Sequence, residues 1–399
     1  MREIDPLAQF ANAQWSIRLR LLPGEMLFPV IAELESSGLL GRGGAGFPVG
    51  RKWRAVAERG QGRAVVLANG AEGEPLSAKD RTLMAARPHL VIDGAVLAAD
   101  AVGAPDIIFY VGAAHHAAEA AIRQALGERS NQLKQRVRVV PAPAGYVAGE
   151  ESAAVHFINA GDARPTTTPP RPFERGVDGR PTLVQNVESL AMAALIARGV
   201  GGESGLVTVS GSVRNPGVRE IDLESTLGDV VTAAGGLARE PQAVLLGGYF
   251  GGWAPIDEVW ALPIEPESLR ARGLTFGCGV VHFLAEDACG VEATAQIVAY
   301  LASQSARQCG PCVFGLSAIG ECLRRLAARS PQALDLHRLA RWSGQLEGRG
   351  ACKHPDGAAG LLRSALDVFA ADFAAHQERR CLRRQPARPA LVQPLTAVA

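Results

Sequence analysis

The chain has 399 residues, 47% of them hydrophobic and 20% charged, with a formal net charge of +1. That length builds two or three domains with real cores, and the balanced charge excludes a global field drawing the protein to nucleic acid or an anionic membrane. No apolar run reaches the roughly 20 residues that span a bilayer, and the start of the chain lacks the uninterrupted apolar core of a secretion signal, so a cytoplasmic protein without membrane insertion is expected. Seven cysteines in such a chain point to thiols or metal ligands rather than a disulfide framework.

Leu27, Val30, Ile31 and Leu34 recur at helical spacing and predict a helix over residues 24–37, after a weakly patterned arm. The next stretch is Gly41-Arg42-Gly43-Gly44-Ala45-Gly46-Phe47-Pro48-Val49-Gly50-Arg51-Lys52-Trp53. Glycines let backbone N–H groups form a concave anion site, and a helix starting just after adds the positive end of its dipole. Lys52 supplies a point charge and Phe47 a flat apolar face. These are the parts of a nucleotide or flavin phosphate cradle, although a tight surface loop has the same composition. The spacing is neither GxGxxG nor a Walker loop.

A short helix is predicted over 54–59, then a buried strand over 64–68 that opens into Asn69, Glu72 and Glu74, followed by Lys79, Asp80 and Arg81. Paired carboxylates after a buried strand suit ribityl or ribose hydroxyls, or an acid/base pair; a solvated acidic turn is the bland alternative. A helix at 89–101, a strand at 107–111, a helix at 117–126 and a strand at 137–140 continue the alternation, which implies a parallel sheet with ligand loops at its carboxyl ends. A third loop carries Tyr146, Gly149, Glu150 and Glu151. Residues 162–180 read as loop and 186–198 as helix. Only four of the 41 basic residues are lysines, and Lys52 and Lys79 both fall in these loops, marking positions suited to a compact ammonium.

From residue 206 the pattern becomes strand, turn, strand, helix, strand, a small α+β insert. Helices are predicted over 291–304, 313–328, 331–346 and 357–375, followed by an Arg- and Pro-rich tail. Cys309-Gly310-Pro311-Cys312, with Cys352 downstream, suits iron–sulfur or zinc ligation, or a redox dithiol. Cys322 reads as a core thiol, and Cys278, Cys289 and Cys381 have no spacing signature. His115, His116 and His156 show no paired metal spacing.

Taken in order, these motifs resemble the NADH-binding flavoprotein subunit of respiratory complex I and the diaphorase subunits of soluble hydrogenases and formate dehydrogenases. Residues 41–53 resemble that family's flavin and NADH loop, residues 69–81 its Asn-x-x-Glu-Gly-Glu-Pro…Lys-Asp-Arg loop, residues 145–152 its Tyr-x-x-Gly-Glu-Glu-Thr segment, and residues 179–188 its Gly-Lys-Pro-Thr…Asn-Asn-Val-Glu segment. The resemblance implies an α/β protein. An arm at 1–23 precedes a parallel-sheet FMN- and NAD(P)H-binding domain at 24–204. A ubiquitin-like α+β (SLBB) insert at 205–262, a helical bundle of iron–sulfur type at 263–376 and a tail at 377–399 follow. It implies that FMN is held by Gly41, Arg42, Gly43, Gly44, Gly46, Lys52, Asn69, Glu72, Tyr146, Gly149, Glu150 and Asn186. Phe47, Glu74 and Glu151 then face the nicotinamide nucleotide, with Glu74 and Glu151 as the catalytic pair. Electrons leave singly through an iron–sulfur cluster to a partner subunit or ferredoxin.

Three departures qualify this. The family's Ser-Cys-Gly-x-Cys-x-x-Cys reads Ser305-Ala306-Arg307-Gln308-Cys309-Gly310-Pro311-Cys312, so Ala306 replaces one ligand and Cys309, Cys312 and Cys352 remain. A 4Fe-4S cluster then needs an outside ligand, gives way to a 3Fe-4S cluster, or is absent. Two aromatics that the family sets against the adenine are Ala55 and Arg171, a loss of about 1–3 kcal/mol of stacking, and Arg171 suits a 2′-phosphate. An aspartate of the second loop is Ala71. A non-catalytic paralogue acting as a binding subunit, and a flavoprotein using reduced ferredoxin as donor, are the alternatives.

Overall fold

The computed structural model describes residues 27–201 and 204–383. The expected arm at 1–23 lies outside the described residues, as does most of the expected tail. The chain forms two compact units, one built from residues up to Gly73 and from Lys79 to Leu206, the other from Glu74–Ala78 and the residues from Val207 onward.

In the first unit, α1 (Leu27–Ser36) and α2 (Val49–Gly60) flank the glycine loop. The helix expected at 54–59 therefore begins earlier, at Val49, and places Lys52 in its first turn. Gly50 sits inside it because a Cβ there would lie 2.6 Å from the Glu35 backbone nitrogen, so glycine permits α1 and α2 to touch. Next come β1 (Val65–Gly70), α3 (Lys79–Ala86), α4 (Pro88–Val102), β2 (Asp106–Gly112), α5 (His116–Glu128), β3 (Arg136–Ala142), α6 (Glu151–Ala160), β4 (Thr182–Asn186) and α7 (Val187–Ile196).

The four strands pair in the order β3-β2-β1-β4, all parallel. β1 and β2 read as continuous apolar runs, and nearly all their residues are buried. Their core gathers Val65, Leu67, Ile108 and Tyr110 with Ala154 and Val155 of α6 and Val184 of β4. The chain leaves β1 toward β2 on one side, while β4 pairs on the other. The carboxyl ends of β1 and β4 are thus the switch point where open parallel sheets bind ligands. The sequence pattern assigns no strand between the loop at 162–180 and the helix at 186–198, where β4 lies: the strand has only five residues, and its polar Gln185 and Asn186 hide it.

The second unit contains β5 (Ser204–Gly211), β6 (Gly217–Asp222), α8 (Leu227–Ala233), β7 (Pro241–Leu246), β8 (Gly252–Pro255) and β9 (Val280–Ala285). They form a five-stranded sheet in the order β6-β5-β9-β7-β8. Its central strand, β9, runs parallel to β5 and antiparallel to β7. β9 thus joins this sheet from beyond the strand, turn, strand, helix, strand pattern read from the sequence. The core beneath it includes Val207, Val209, Leu227, Val244, Val281 and Phe283.

The helices that follow are α9 (Gly290–Ser303), α10 (Ser317–Ala327), α11 (Asp335–Leu346), α12 (His354–Val368) and α13 (Ala370–Gln377). The expected helix at 313–328 opens with a π-helical turn, Pro311–Leu316, directly on the CxxC. The single helix expected over 357–375 is two, broken at Phe369. That ring sits 5.3 Å from the Trp253 ring, edge-on, and fills the space beside Gly290, where a Cβ would lie 2.3 Å from it.

Candidate functional site

The glycine loop is closed at its base like a hairpin. Gly41 N–H donates to the Phe47 carbonyl at 2.9 Å, and Val49 N–H to the Leu39 carbonyl at 2.9 Å. Gly44 (φ 108°) and Gly46 (φ 61°) hold left-handed backbone that a side chain would strain. Gly43 passes so close to β4 that its Cβ would lie 3.4 Å from Asn186 Cβ. Phe47 projects from the loop, 53% exposed. Arg42 does the opposite of what its place in the motif suggests. It is buried, its N–H donates to Ser189 Oγ at 2.9 Å and its Nη2 donates to the Ser204 carbonyl at 3.3 Å. Burial lowers its pKa while Glu188 opposes the shift, so Arg42 acts as a strut for the loop.

The other loops reach the same edge of the sheet. Lys52 Nζ, at the start of α2, donates to Glu151 Oε2 at 2.9 Å and to the Val184 carbonyl at 2.9 Å. Asn69 Nδ2 donates to the Gly149 carbonyl at 2.8 Å, and Asn186 Nδ2 to Asp80 Oδ2 at 2.7 Å. Gly73 lies so near the third loop that a Cβ would meet the Tyr146 carbonyl at 2.8 Å. Residues far apart in the chain are thus joined by direct contacts at the carboxyl ends of β1 and β4.

Three of the polar residues singled out in the sequence cap helices that start at this edge. Glu72 accepts from Asp80 N–H (3.1 Å) and Arg81 N–H (3.3 Å) at the start of α3. Glu150 accepts from Ser152 N–H (2.9 Å) and Ala153 N–H (3.0 Å) at the start of α6, and burial raises its pKa. Asn186 accepts from Glu188 N–H (3.0 Å) and Ser189 N–H (3.4 Å) at the start of α7. The positive ends of three helix dipoles therefore meet here. Beneath them, Lys79 is fully buried and lies 2.6 Å from Asp80 and 2.8 Å from Glu188. Burial alone would lower the Lys79 pKa; the carboxylates of Asp80, Glu188 and Glu72 overcome it and hold the ammonium above its ordinary value. The rarity of lysine points to Lys79, but nothing in the sequence shows Glu188 as its partner or Ser189 as the seat of Arg42.

Glu74, expected opposite the nucleotide, belongs to the second unit. Its Oε2 accepts from Tyr249 N–H at 2.8 Å and its Oε1 from Leu76 N–H at 3.3 Å, so it ties the 74–78 segment to that unit. Arg171 is exposed, and its N–H donates to Glu174 at 2.8 Å.

The cysteine region lies at the π-helical turn. Burial first, and then the neighbouring thiols of Cys309 and Cys352, push the buried Cys312 up to about 12, with the Ser305 hydroxyl opposing the shift. The thiols of Cys309 and Cys352 and the hydroxyl of Ser305, which the spacing does not single out, are thus the groups that bear on Cys312. Among the described residues these thiols do not fall in a set within 4.8 Å of one another. Cys322 is a core thiol as read, 3.2 Å from Asp335.

A separate cleft of about 600 Å³ opens at the amino ends of β2 and β3, lined by Asp106, Arg136 and Arg180. Its charges pair with each other: Asp106 meets Arg136 at 2.7 Å and Arg180 at 2.6 Å. The hydrogen bond from Arg136, helped by Arg180, holds the Asp106 carboxyl down at about 2. The cleft is a surface ion network at the sheet's far end from the convergent loops.

This combination, a parallel sheet with a glycine loop at its switch point, an α+β insert and a thiol-bearing helical region, defines a flavoprotein oxidoreductase of the NADH dehydrogenase type. The Nuo51 FMN-binding domain model matches residues 34–194, the SLBB domain model residues 206–248, and the NADH-ubiquinone oxidoreductase-F iron-sulfur binding region residues 292–376. The F 2 subunit of the NADH-quinone oxidoreductase of Rhizobium meliloti (strain 1021) is 33% identical, covering 91% of this chain and 92% of the relative. The F subunit of the Streptomyces coelicolor (strain ATCC BAA-471 / A3(2) / M145) enzyme is 30% identical over 90% of this chain and 85% of its own length. The NAD+-reducing NiFe hydrogenase in the H2-reduced state superposes with a TM-score of 0.79 at 29% identity, over 90% of this chain. This chain spans 63% of that hydrogenase chain. The protein belongs to the family of NADH-quinone oxidoreductase F subunits.

Proposed function

We propose that the chain is the flavin-bearing subunit of a larger electron-transfer assembly, accepting reducing equivalents from a nicotinamide nucleotide and passing electrons to a protein partner. The observation that carries this is the convergence of Lys52, Asn69, Gly149 and Asn186 at one switch point. The residues there fit FMN: a glycine-rich loop of Gly41, Gly43, Gly44 and Gly46, a cation at Lys52, and three helix N-termini. Lys52 and the loop amides take the phosphate, while Asn69, Glu72, Tyr146, Glu150 and Asn186 orient the polar edges. Phe47 offers an apolar face to the nucleotide, and Glu151 holds Lys52 in position. FMN, when bound, supplies the conversion of a two-electron donation into one-electron steps.

Cys309, Cys312 and Cys352 hold an iron–sulfur cluster in this reading, with Ala306 leaving one position to Ser305 or to an outside ligand. The seven free cysteines suit a reducing, cytoplasmic setting. Among the described residues no helix is long and apolar enough to cross a membrane.

Anaerobic purification followed by flavin analysis tests the reading. One FMN per chain, bleached by NADH or NADPH, is expected. A colourless protein that takes up no added FMN contradicts it. Ala306, Ala55 and Arg171 favour a second reading, a flavin-bearing subunit that is not reduced by nicotinamide nucleotides and uses a donor such as reduced ferredoxin. Flavin that stays oxidised under excess NADH and NADPH selects that reading.

A further inference from the structure

The end of the chain brings together three donors that no sequence spacing links. Cys289 caps the start of α9, His376 lies in the last turn of α13, and Cys381 follows shortly after. Their ligand atoms all lie within 4.8 Å of one another. Cys289 and His376 are fully buried and Cys381 is half-buried. Cys289 Sγ is 3.3 Å from His376 Nε2. The other ring nitrogen, Nδ1, is 2.8 Å from the Leu326 carbonyl. A carbonyl only accepts, so Nδ1 carries the proton and Nε2 presents its lone pair to the thiols. A metal-bound imidazole is oriented in this way, with its outer nitrogen donating to a carbonyl.

The stretch of chain carrying Cys381 is held independently. Arg380 N–H donates to the Ala375 carbonyl at 2.8 Å. Arg383 pairs with the buried Asp372 at 3.1 Å and donates to the Glu286 carbonyl at 3.1 Å. The three donors are therefore positioned by contacts that require no metal.

We propose that Cys289, His376 and Cys381 bind one zinc-type divalent ion, with water in the fourth position, separate from the thiols of the cluster region. Zinc with Zn–S of about 2.3 Å and Zn–N of about 2.0 Å spaces tetrahedral ligand atoms roughly 3.5–3.8 Å apart, inside the observed envelope. The ion displaces one proton from each thiol to solvent, and two thiolates with a neutral imidazole leave the buried site uncharged. The bound ion clamps the chain after α13 onto the start of α9.

The test uses the full chain carrying Cys309→Ser, Cys312→Ser and Cys352→Ser, so that zinc captured by those thiols is not counted. After reducing purification and dialysis, one zinc per chain by mass spectrometry is expected. Adding Cys381→Ser, at the half-buried position, should weaken retention by about tenfold or more while circular dichroism stays unchanged. In the unsubstituted chain loaded with cobalt, Cys381→Ser should lower the thiolate charge-transfer intensity, whatever the cluster-region thiols take up; this difference can be read even where the triple variant fails to fold. A reduced protein that binds neither zinc nor cobalt overturns the proposal. So does full zinc retention in the Cys381→Ser variant, or a Cys289–Cys381 disulfide in a protein that binds no zinc when reduced.

Discussion

The flavin-side loops and the cluster-side thiols differ in how completely this chain equips them. On the flavin side the loops are locked together by side chain and main chain: Lys52 to Glu151, Asn69 to Gly149, Asn186 to Asp80. On the cluster side Cys309 and Cys312 sit at the start of a π-helical turn, and the place of the family motif's first cysteine carries Ala306. Several polar residues of the first region, such as Glu72, Glu150 and Asn186, also cap helices, and Lys79 closes a buried ion network, so losing one of these would disturb local structure. A cluster ligand has no such second task, and Ala306 sits in the irregular stretch between α9 and the π-helical turn. The region whose functional residues also hold the fold is the one that stays intact.

The largest effect should come from breaking the buried network. Lys79→Met leaves Asp80 and Glu188 buried without their cation and should destabilise the protein by about 3–5 kcal/mol, read as a shift in the urea midpoint. A shift below about 1 kcal/mol would show that the network does not carry the first region.

The second unit offers the contrasting case, a single buried neutral group. His282, in β9 and 2.9 Å from Ser210, is pushed by burial down to about 4. The unfolded chain takes up that proton near pH 6.5. The contribution is therefore complete above about pH 6.5 and lost as the pH falls toward about 4, up to roughly 3 kcal/mol. His282→Gln should flatten the stability–pH curve in that window; an unchanged slope would assign the acid sensitivity elsewhere.

Lys52→Met separates binding from folding within the first region. Lys52 is partly exposed, so stability should fall by less than about 1 kcal/mol. FMN affinity should fall roughly tenfold to a hundredfold through loss of a charged hydrogen bond of about 1.5–3 kcal/mol. Equal flavin affinity in variant and wild type would remove Lys52 from the phosphate site. The smallest change asked of the structure is Ala306→Cys, which should raise the iron content of anaerobically reconstituted protein. No gain in iron would mean that the turn around Arg307 (φ 54°) does not present the residue before it to the thiols.

Much of the first unit is legible in the sequence because buried parallel strands such as Val65–Gly70 and Asp106–Gly112 announce themselves as apolar runs, and loops at their ends follow from topology. The short β4 is not, since its polar Thr182, Gln185 and Asn186 leave only two apolar residues in the strand. The place of β9 in the second sheet is not legible because its partner strands lie far back in the chain, and Phe369 breaks a helix without proline or glycine. Glu188 and Ser189 look like ordinary first-turn residues; their burial against Lys79 and Arg42 is a property of the fold. Cys289, His376 and Cys381 meet only because α9 and α13 bring them together. The motif letters place Arg42 and Glu74 with the ligand-facing residues, but burial and backbone partners give both of them structural tasks.

The central claim is that the loops meeting at the ends of β1 and β4 hold FMN. Titrating flavin-free protein with FMN, following quenching of the flavin fluorescence, tests it most directly. Saturation at one FMN per chain, weakened in Lys52→Met while the urea midpoint stays nearly unchanged, is the expected result. Flavin fluorescence that remains that of free FMN at every protein concentration would contradict the account.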